Sequence, residues 1–231
     1  MRDWGVMTTG TLALIGGGEW TDGCDFDAGL LAASGSMTVL VVPTAAAFER
    51  PDHLVARARD HFAALGATVE VLDVMRRRDA MSTELAERAS TASFTYLSSG
   101  SPMHLRSVVL GTPVWDAIVS GWRAGAVLAA SGESASALST HMVDPRGGAF
   151  TVGLDLLDRL TVIPRWSTWS EDKWHRTVRL ARPGMAVVGI DERTALVFDD
   201  RGWTVSGAGS VSVHLDGRRV DLGDLPPLDL T

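Results

Sequence analysis

The chain has 231 residues, a formal net charge of −7 with no long basic run, and 45% hydrophobic against 21% charged residues, a balance that reads as soluble and globular and points away from nucleic acid as a partner. Cys24 is the sole cysteine, which excludes an internal disulfide and a cysteine-rich metal site. Residues 1–10 lack a signal-peptide apolar core and no segment has the length of a membrane span, so a cytoplasmic location and no membrane partner are expected.

Residues 11–15 are short, β-rich and end in Gly16-Gly17-Gly18. Residues 37–42 (MTVLVV) form a continuous apolar run stopped by Pro43, as a strand buried on both faces would be. Helical periodicity over 54–65 is closed by Gly66. Strands are expected over 68–72, 93–97 and 126–130, and helices over 83–89 and 114–123. This alternation predicts a mostly parallel sheet with helices on both faces. The second half instead offers strands at 160–163, 186–190, 195–198, 203–207 and 211–215 with tight turns between them. They are read as closing strands of one α/β domain spanning 1–231, some antiparallel, with 1–10 and 221–231 irregular.

The segment Gly132-Glu133-Ser134-Ala135-Ser136-Ala137 follows the apolar run of 124–130. It suits a sharp turn from a buried strand into a helix, with Ser134 at the apex, where a nucleophile would face backbone N–H groups able to hold an oxyanion. The match to G-x-S-x-G is partial, because Ser136 replaces the last glycine. A turn of small residues is the bland alternative.

Six strings, LALIGGGEW (12–20), VLVVPTAAA (39–47), GSPMHLRSVVLGTPVWDAI (100–118), GESASAL (132–138), DPRGGAFTVGLDLL (144–157) and GIDERTALV (189–197), resemble in order and spacing the cyanophycinase and dipeptidase E family of serine peptidases. The resemblance covers roughly residues 10–215. It implies a flavodoxin-like, class I glutamine-amidotransferase-like three-layer fold, cleavage next to aspartate, a serine nucleophile at Ser134, and an oxyanion contribution from Gly100 and Ser101, to which the N–H of Ala135 would add. Three departures stand out. The family's histidine base falls on Arg165 or Trp166, and a guanidinium has no acceptor with which to take a proton. Ser136 adds a β-carbon after the elbow. Gly100-Ser101-Pro102 replaces the G-D-Q of cyanophycinases.

A substitute base has to come from elsewhere. His175 is preferred over His104, and Glu133 beside the nucleophile is a weaker candidate. Glu19, after the triple glycine, belongs on the carboxyl edge of the sheet, where it would orient a base or hold a substrate ammonium; capping a helix is its bland alternative. Dinucleotide binding by the glycine run is rejected, since Thr21 stands where the third glycine belongs and Glu19 would repel phosphate. Arg165, Trp166, Arg176 and Arg179 are candidates for holding a substrate carboxylate, against the alternative of an amphipathic helix with a solvated basic face. Histidines and acids nowhere cluster at ligand spacing, so no metal and no cofactor are expected.

Two functions follow. The preferred one is an acyl-transfer enzyme acting on a small peptide or amide through Ser134 with an unusual base. The other is a lapsed or repurposed member that binds a small acidic or peptide ligand without hydrolysis. A homodimer is left open.

Overall fold

The first half of the chain alternates strand and helix. In order come β1 (Leu12–Ile15), α1 (Phe26–Ser34), β2 (Thr38–Val42), α2 (Pro51–Ala64), β3 (Thr68–Val71), α3 (Arg77–Ala80), α4 (Thr83–Ser90) and β4 (Phe94–Leu97). They are followed by α5 (Pro102–Val109), α6 (Pro113–Arg123), β5 (Val127–Ser131) and α7 (Glu133–Ala137). The computed structural model describes residues 9–226 and 228. Local signals explain the helix starts. Ser101 and Thr112 accept from the N–H groups of His104 and Trp115, and Pro102 and Pro113 follow each cap, where a missing N–H costs nothing. Neither α1 nor α5 was expected from the hydrophobic pattern.

Strands β1 to β5 pair in parallel in the order β1-β5-β4-β2-β3. The run β3-β2-β4-β5 has flavodoxin-like order, with β1 taking the fifth place. Ile15 sits opposite Ser131 and Leu97 opposite Ala130, so β1, β5 and β4 end together at one carboxyl edge. Alternate residues serve opposite faces. Ala13 and Ile15 join a core with Phe26 and Leu30 of α1 and Phe62 of α2, while Leu12 and Leu14 face Leu105 of α5, Trp122 of α6 and Ala135 of α7. Burying side chains of the size of Phe62 or Leu105 contributes about 1.5–3 kcal/mol each, and this two-sided core holds the carboxyl edge rigid.

The second half contains β6 (His141–Val143), β7 (Phe150–Val152), β8 (Leu160–Pro164), α8 (Glu171–Leu180), β9 (Ala186–Ile190), β10 (Thr194–Asp199), β11 (Gly202–Gly207), β12 (Val211–Leu215) and β13 (Arg218–Val220). All five expected closing strands are present, but they divide. β10 and β11 extend the main sheet antiparallel beyond β1. β8, β9, β12 and β13 form a separate four-stranded sheet in the order β13-β12-β9-β8. This second sheet sends Val162, Val188, Ile190 and Val213 into the core that Leu12 and Leu14 share. Of the ends expected to be irregular, 1–8, 227 and 229–231 lie outside the described residues, and Leu222–Asp224 forms a short 3-10 turn with Leu225 buried after it.

Candidate active site at the turn after β5

The turn out of β5 is a single residue, Gly132, with φ 57° and ψ −130°. That conformation suits a residue without a β-carbon and is the strained strand-to-helix geometry that presents a nucleophile in elbow sites. Gly132 carries no side chain to present. The expectation that Ser134 stands at the apex is therefore corrected. Ser134 lies inside α7, is 0% exposed, and its Oγ donates to the Ser98 carbonyl at 2.5 Å. The physical reason is the length of β5, which runs through Ser131 and brings the turn two residues earlier.

What fills the place beside the apex comes from the neighbouring strand end. A β-carbon built on Gly132 would lie 2.8 Å from the Ser99 Cβ and 3.7 Å from an Arg165 guanidinium nitrogen. Ser99 follows β4, and its hydroxyl and N–H both donate to Glu19 Oε1. Ser131 Oγ donates to the other Glu19 oxygen at 2.8 Å. Glu19 is 2% exposed, so its carboxylate is a buried brace joining the ends of β1, β4 and β5. It meets neither a base nor open solvent, which corrects the readings of Glu19 as a group that orients a base or holds a substrate ammonium.

Arg165 follows β8 in a left-handed conformation, anchored by its N–H to the Gly16 carbonyl at 2.8 Å. Its guanidinium pairs with Glu133 and, at 3.4 Å, with Glu192. Arg165 thus stands beside the apex as the resemblance implies, but two carboxylates already claim its charge. Two of the three oxyanion donors named from sequence are also engaged. Ser101 N–H donates to the Ala45 carbonyl at 2.8 Å, and Ala135 N–H donates to the Gly132 carbonyl at 3.0 Å. The Ser101 hydroxyl caps α5, and Gly100 takes the turn ahead of it with φ 145°.

No histidine reaches the turn among the described residues named as candidates. His104 Nε2 is bound to the Met75 carbonyl at 3.0 Å, and its ring packs on Phe48. His175 is exposed on α8 and lines a different depression with Trp166 and Arg179. Arg176 lies across the Gly148 turn instead of facing Gly132. The group assembled in sequence as one site is therefore divided among the apex, the Gly148 turn and the depression beside His175.

Next to the apex is a cavity of about 190 Å³ lined by Glu133, Ser136, Arg165, Trp169 and Lys173, with Pro102, Val143, Pro145, Pro164 and Thr168. Ser136 is 3% exposed and its hydroxyl has no hydrogen-bond partner. The Lys173 ammonium lies 3.7 Å from the centre of the Trp169 ring, and burial holds its pKa below the usual lysine value. Lys173 has no carboxylate within ion-pair distance among the described residues. Sequence reading missed Ser99, Gly132, Lys173 and Glu192. Only Gly132 carried a signal, as the one glycine between strand and helix.

A parallel sheet whose carboxyl edge carries a strained strand-to-helix turn is a scaffold on which elbow nucleophiles are mounted. Within that class the chain belongs to Peptidase family S51, whose sequence model matches residues 12–206. It is 28% identical to a cyanophycinase from Trichormus variabilis over 196 residues, covering 79% of this chain and 64% of that protein. A cyanophycinase from Thermosynechococcus vestitus is 29% identical across 254 aligned positions, covering 96% of this chain and 72% of that protein. The chain thus spans just under two thirds of the length of the first of these relatives. Among solved structures, a peptidase from an acI-B1 Actinobacterium superposes with a TM-score of 0.83 at 28% identity, over 93% of this chain and 94% of that one. A putative peptidase E protein from Listeria monocytogenes EGD-e shares the fold, with a TM-score of 0.66 at 16% identity over 87% of this chain and all of that one (100%). Among the described residues no helix is long and apolar enough to cross a membrane.

Proposed function

We propose that this chain is a repurposed member of family S51 that binds a small peptide, or another small carboxylate ligand, beside the turn after β5 without hydrolysing it through a serine at the elbow. The observation that carries the reading is Gly132 at the apex, where a nucleophile needs a side chain. The arginine at the base position adds to it, because a guanidinium accepts no proton. Binding remains feasible. Lys173 offers an uncommitted cation, Ser136 an unpartnered hydroxyl, and Trp169 an apolar wall in a cavity of about 190 Å³.

Hydrolysis through Ser134, the reading preferred from sequence, requires its hydroxyl to leave the Ser98 carbonyl and emerge from the buried interior of α7. A second hydrolytic reading rests on one observation, the contact of Ser99 Oγ with Glu19 beside the apex. There Ser99 Oγ would attack the carbonyl carbon while Glu19 takes the hydroxyl proton; that proton would pass to the departing amine as the C–N bond breaks, and water would then release the acyl group from Ser99. The test is calorimetric titration with aspartyl dipeptides followed by mass analysis of the recovered ligand. The proposal expects binding, intact dipeptide, and an affinity weakened about tenfold or more in Lys173→Ala by loss of one charged contact. Cleavage by the wild-type chain that is lost in Ser134→Ala would overturn it, and cleavage lost only in Ser99→Ala would support the second reading.

A further inference from the structure

We propose that the depression between α8 and the β12–β13 hairpin is a second ligand site, built for a planar aromatic ring that carries a carboxylate or a phosphate. Its floor comes from strand alternation. Val211, Val213 and Leu215 of β12 face the shared core, which turns Ser212 and His214 to the opposite face. Both are more than nine-tenths buried, at 8% and 5% exposed, and both line the depression. His214 Nδ1 is buried with no hydrogen-bond partner, a state native interiors seldom leave unexplained.

The walls are Trp166 and Trp174. Trp166 can lie against β9 because Gly189 has no β-carbon; one added there would run into the indole ring. The ring centres of Trp166 and Trp174 are 5.3 Å apart and tilted by 48°, and each packs on His214 at 5.5 and 5.1 Å. Half-buried indoles of this kind offer faces to a flat ring. The rim is cationic, with Arg179 of α8 and Arg219 of β13, and His175 beside them. No acid lines the depression among the described residues, in a chain whose net charge is −7. A local positive field on an acidic molecule selects anions, and guanidinium forks match carboxylate and phosphate oxygens. The volume, about 380 Å³, is twice that of the cavity beside Gly132. The site uses none of the residues of that cavity, so it stands whether or not the reading of Gly132 does.

The test is equilibrium dialysis with quenching of intrinsic tryptophan fluorescence. The probes are 1-naphthoate and adenosine 5′-monophosphate, with naphthalene methanol and inorganic phosphate as the ring alone and the anion alone. One or both aromatic anions are expected to bind saturably, and each half-probe at least about tenfold more weakly. Arg179→Ser with Arg219→Ser, both on exposed positions, is expected to weaken binding at least about tenfold, since charged hydrogen bonds are lost. Lys173→Ala should leave it unchanged. No saturable binding of either aromatic anion up to about 10 mM overturns the proposal, since affinity that weak is within reach of nonspecific contact. So does binding that survives the paired arginine change, or binding that Lys173→Ala removes.

Discussion

Gly132 and Ser99 are expected to be energetically coupled, and a double-mutant cycle measures the coupling. Gly132→Ala puts a β-carbon on a residue at φ 57° and ψ −130°, where strain costs about 1–3 kcal/mol. The same β-carbon meets the Ser99 Cβ at 2.8 Å, an overpacking contact that costs about 1–3 kcal/mol more. The single variant should therefore lose about 2–6 kcal/mol, a large part of an ordinary domain's stability of about 5–15 kcal/mol. Ser99→Gly removes the obstructing carbon but also a hydroxyl donor to the buried Glu19, at a cost of about 1–3 kcal/mol. The double variant should be more stable than the sum of the two losses by about 1–3 kcal/mol, because the overlap is charged to Gly132→Ala only while Ser99 is present. Urea unfolding followed by circular dichroism reads all four corners of the cycle. Additivity within about 0.5 kcal/mol would refute the claim that Ser99 occupies the space of a missing side chain at 132.

Further outcomes follow from the same geometry. Arg165→His alone should yield no dipeptidase activity, since a base at 165 has no hydroxyl at 132 to deprotonate; any serine-dependent gain in that single variant would contradict the placement of the apex. Ser134→Ala should destabilise the chain by about 1–3 kcal/mol, the cost of leaving the buried Ser98 carbonyl without its donor, while dipeptide affinity stays as it was. Burial first, then the positive charges of Arg219 and His175, hold the His214 pKa below 6.5. The unfolded chain then binds protons more readily than the native one, so the contribution of neutral His214 is present above pH 6.5 and declines as pH falls through the lowered native value. Thermal unfolding across that range should show a shallower decline in His214→Gln, and an unchanged slope would remove His214 from the account.

Strands β2 and β5 were legible because they are covered on both faces, which leaves a near-continuous apolar run as their signature. The closing strands were legible as segments but not as two sheets. Strand periodicity tells which residues share a face, whereas the parallel pairing of β8 with β9 depends on α8 and the chain between them. Helix α5 went unseen because Ser101-Pro102, a helix start, was read as part of an oxyanion loop. The elbow was placed on the correct segment and the wrong residue. Small residues such as Ser134 and Ser136 suit a tight turn, but they equally suit a short helix packed against α5 and β8. Glu19 was assigned to the correct edge from strand direction, whereas Gly100 and Arg165 came to it through the resemblance. The hold of Glu19 on Ser99, the close approach of Gly100 to the Ala45 backbone and the pairing of Arg165 with Glu133 depend on contacts between distant segments, which composition and spacing do not encode.

The central claim, that no serine nucleophile stands at the elbow of this family S51 chain, is tested most directly by intact-mass measurement after treatment with a serine-reactive fluorophosphonate. Wild-type protein and Ser134→Ala should both keep their unmodified masses, because the apex is Gly132 and the Ser134 hydroxyl is buried. A stoichiometric adduct on the wild-type chain that disappears in Ser134→Ala would contradict the account.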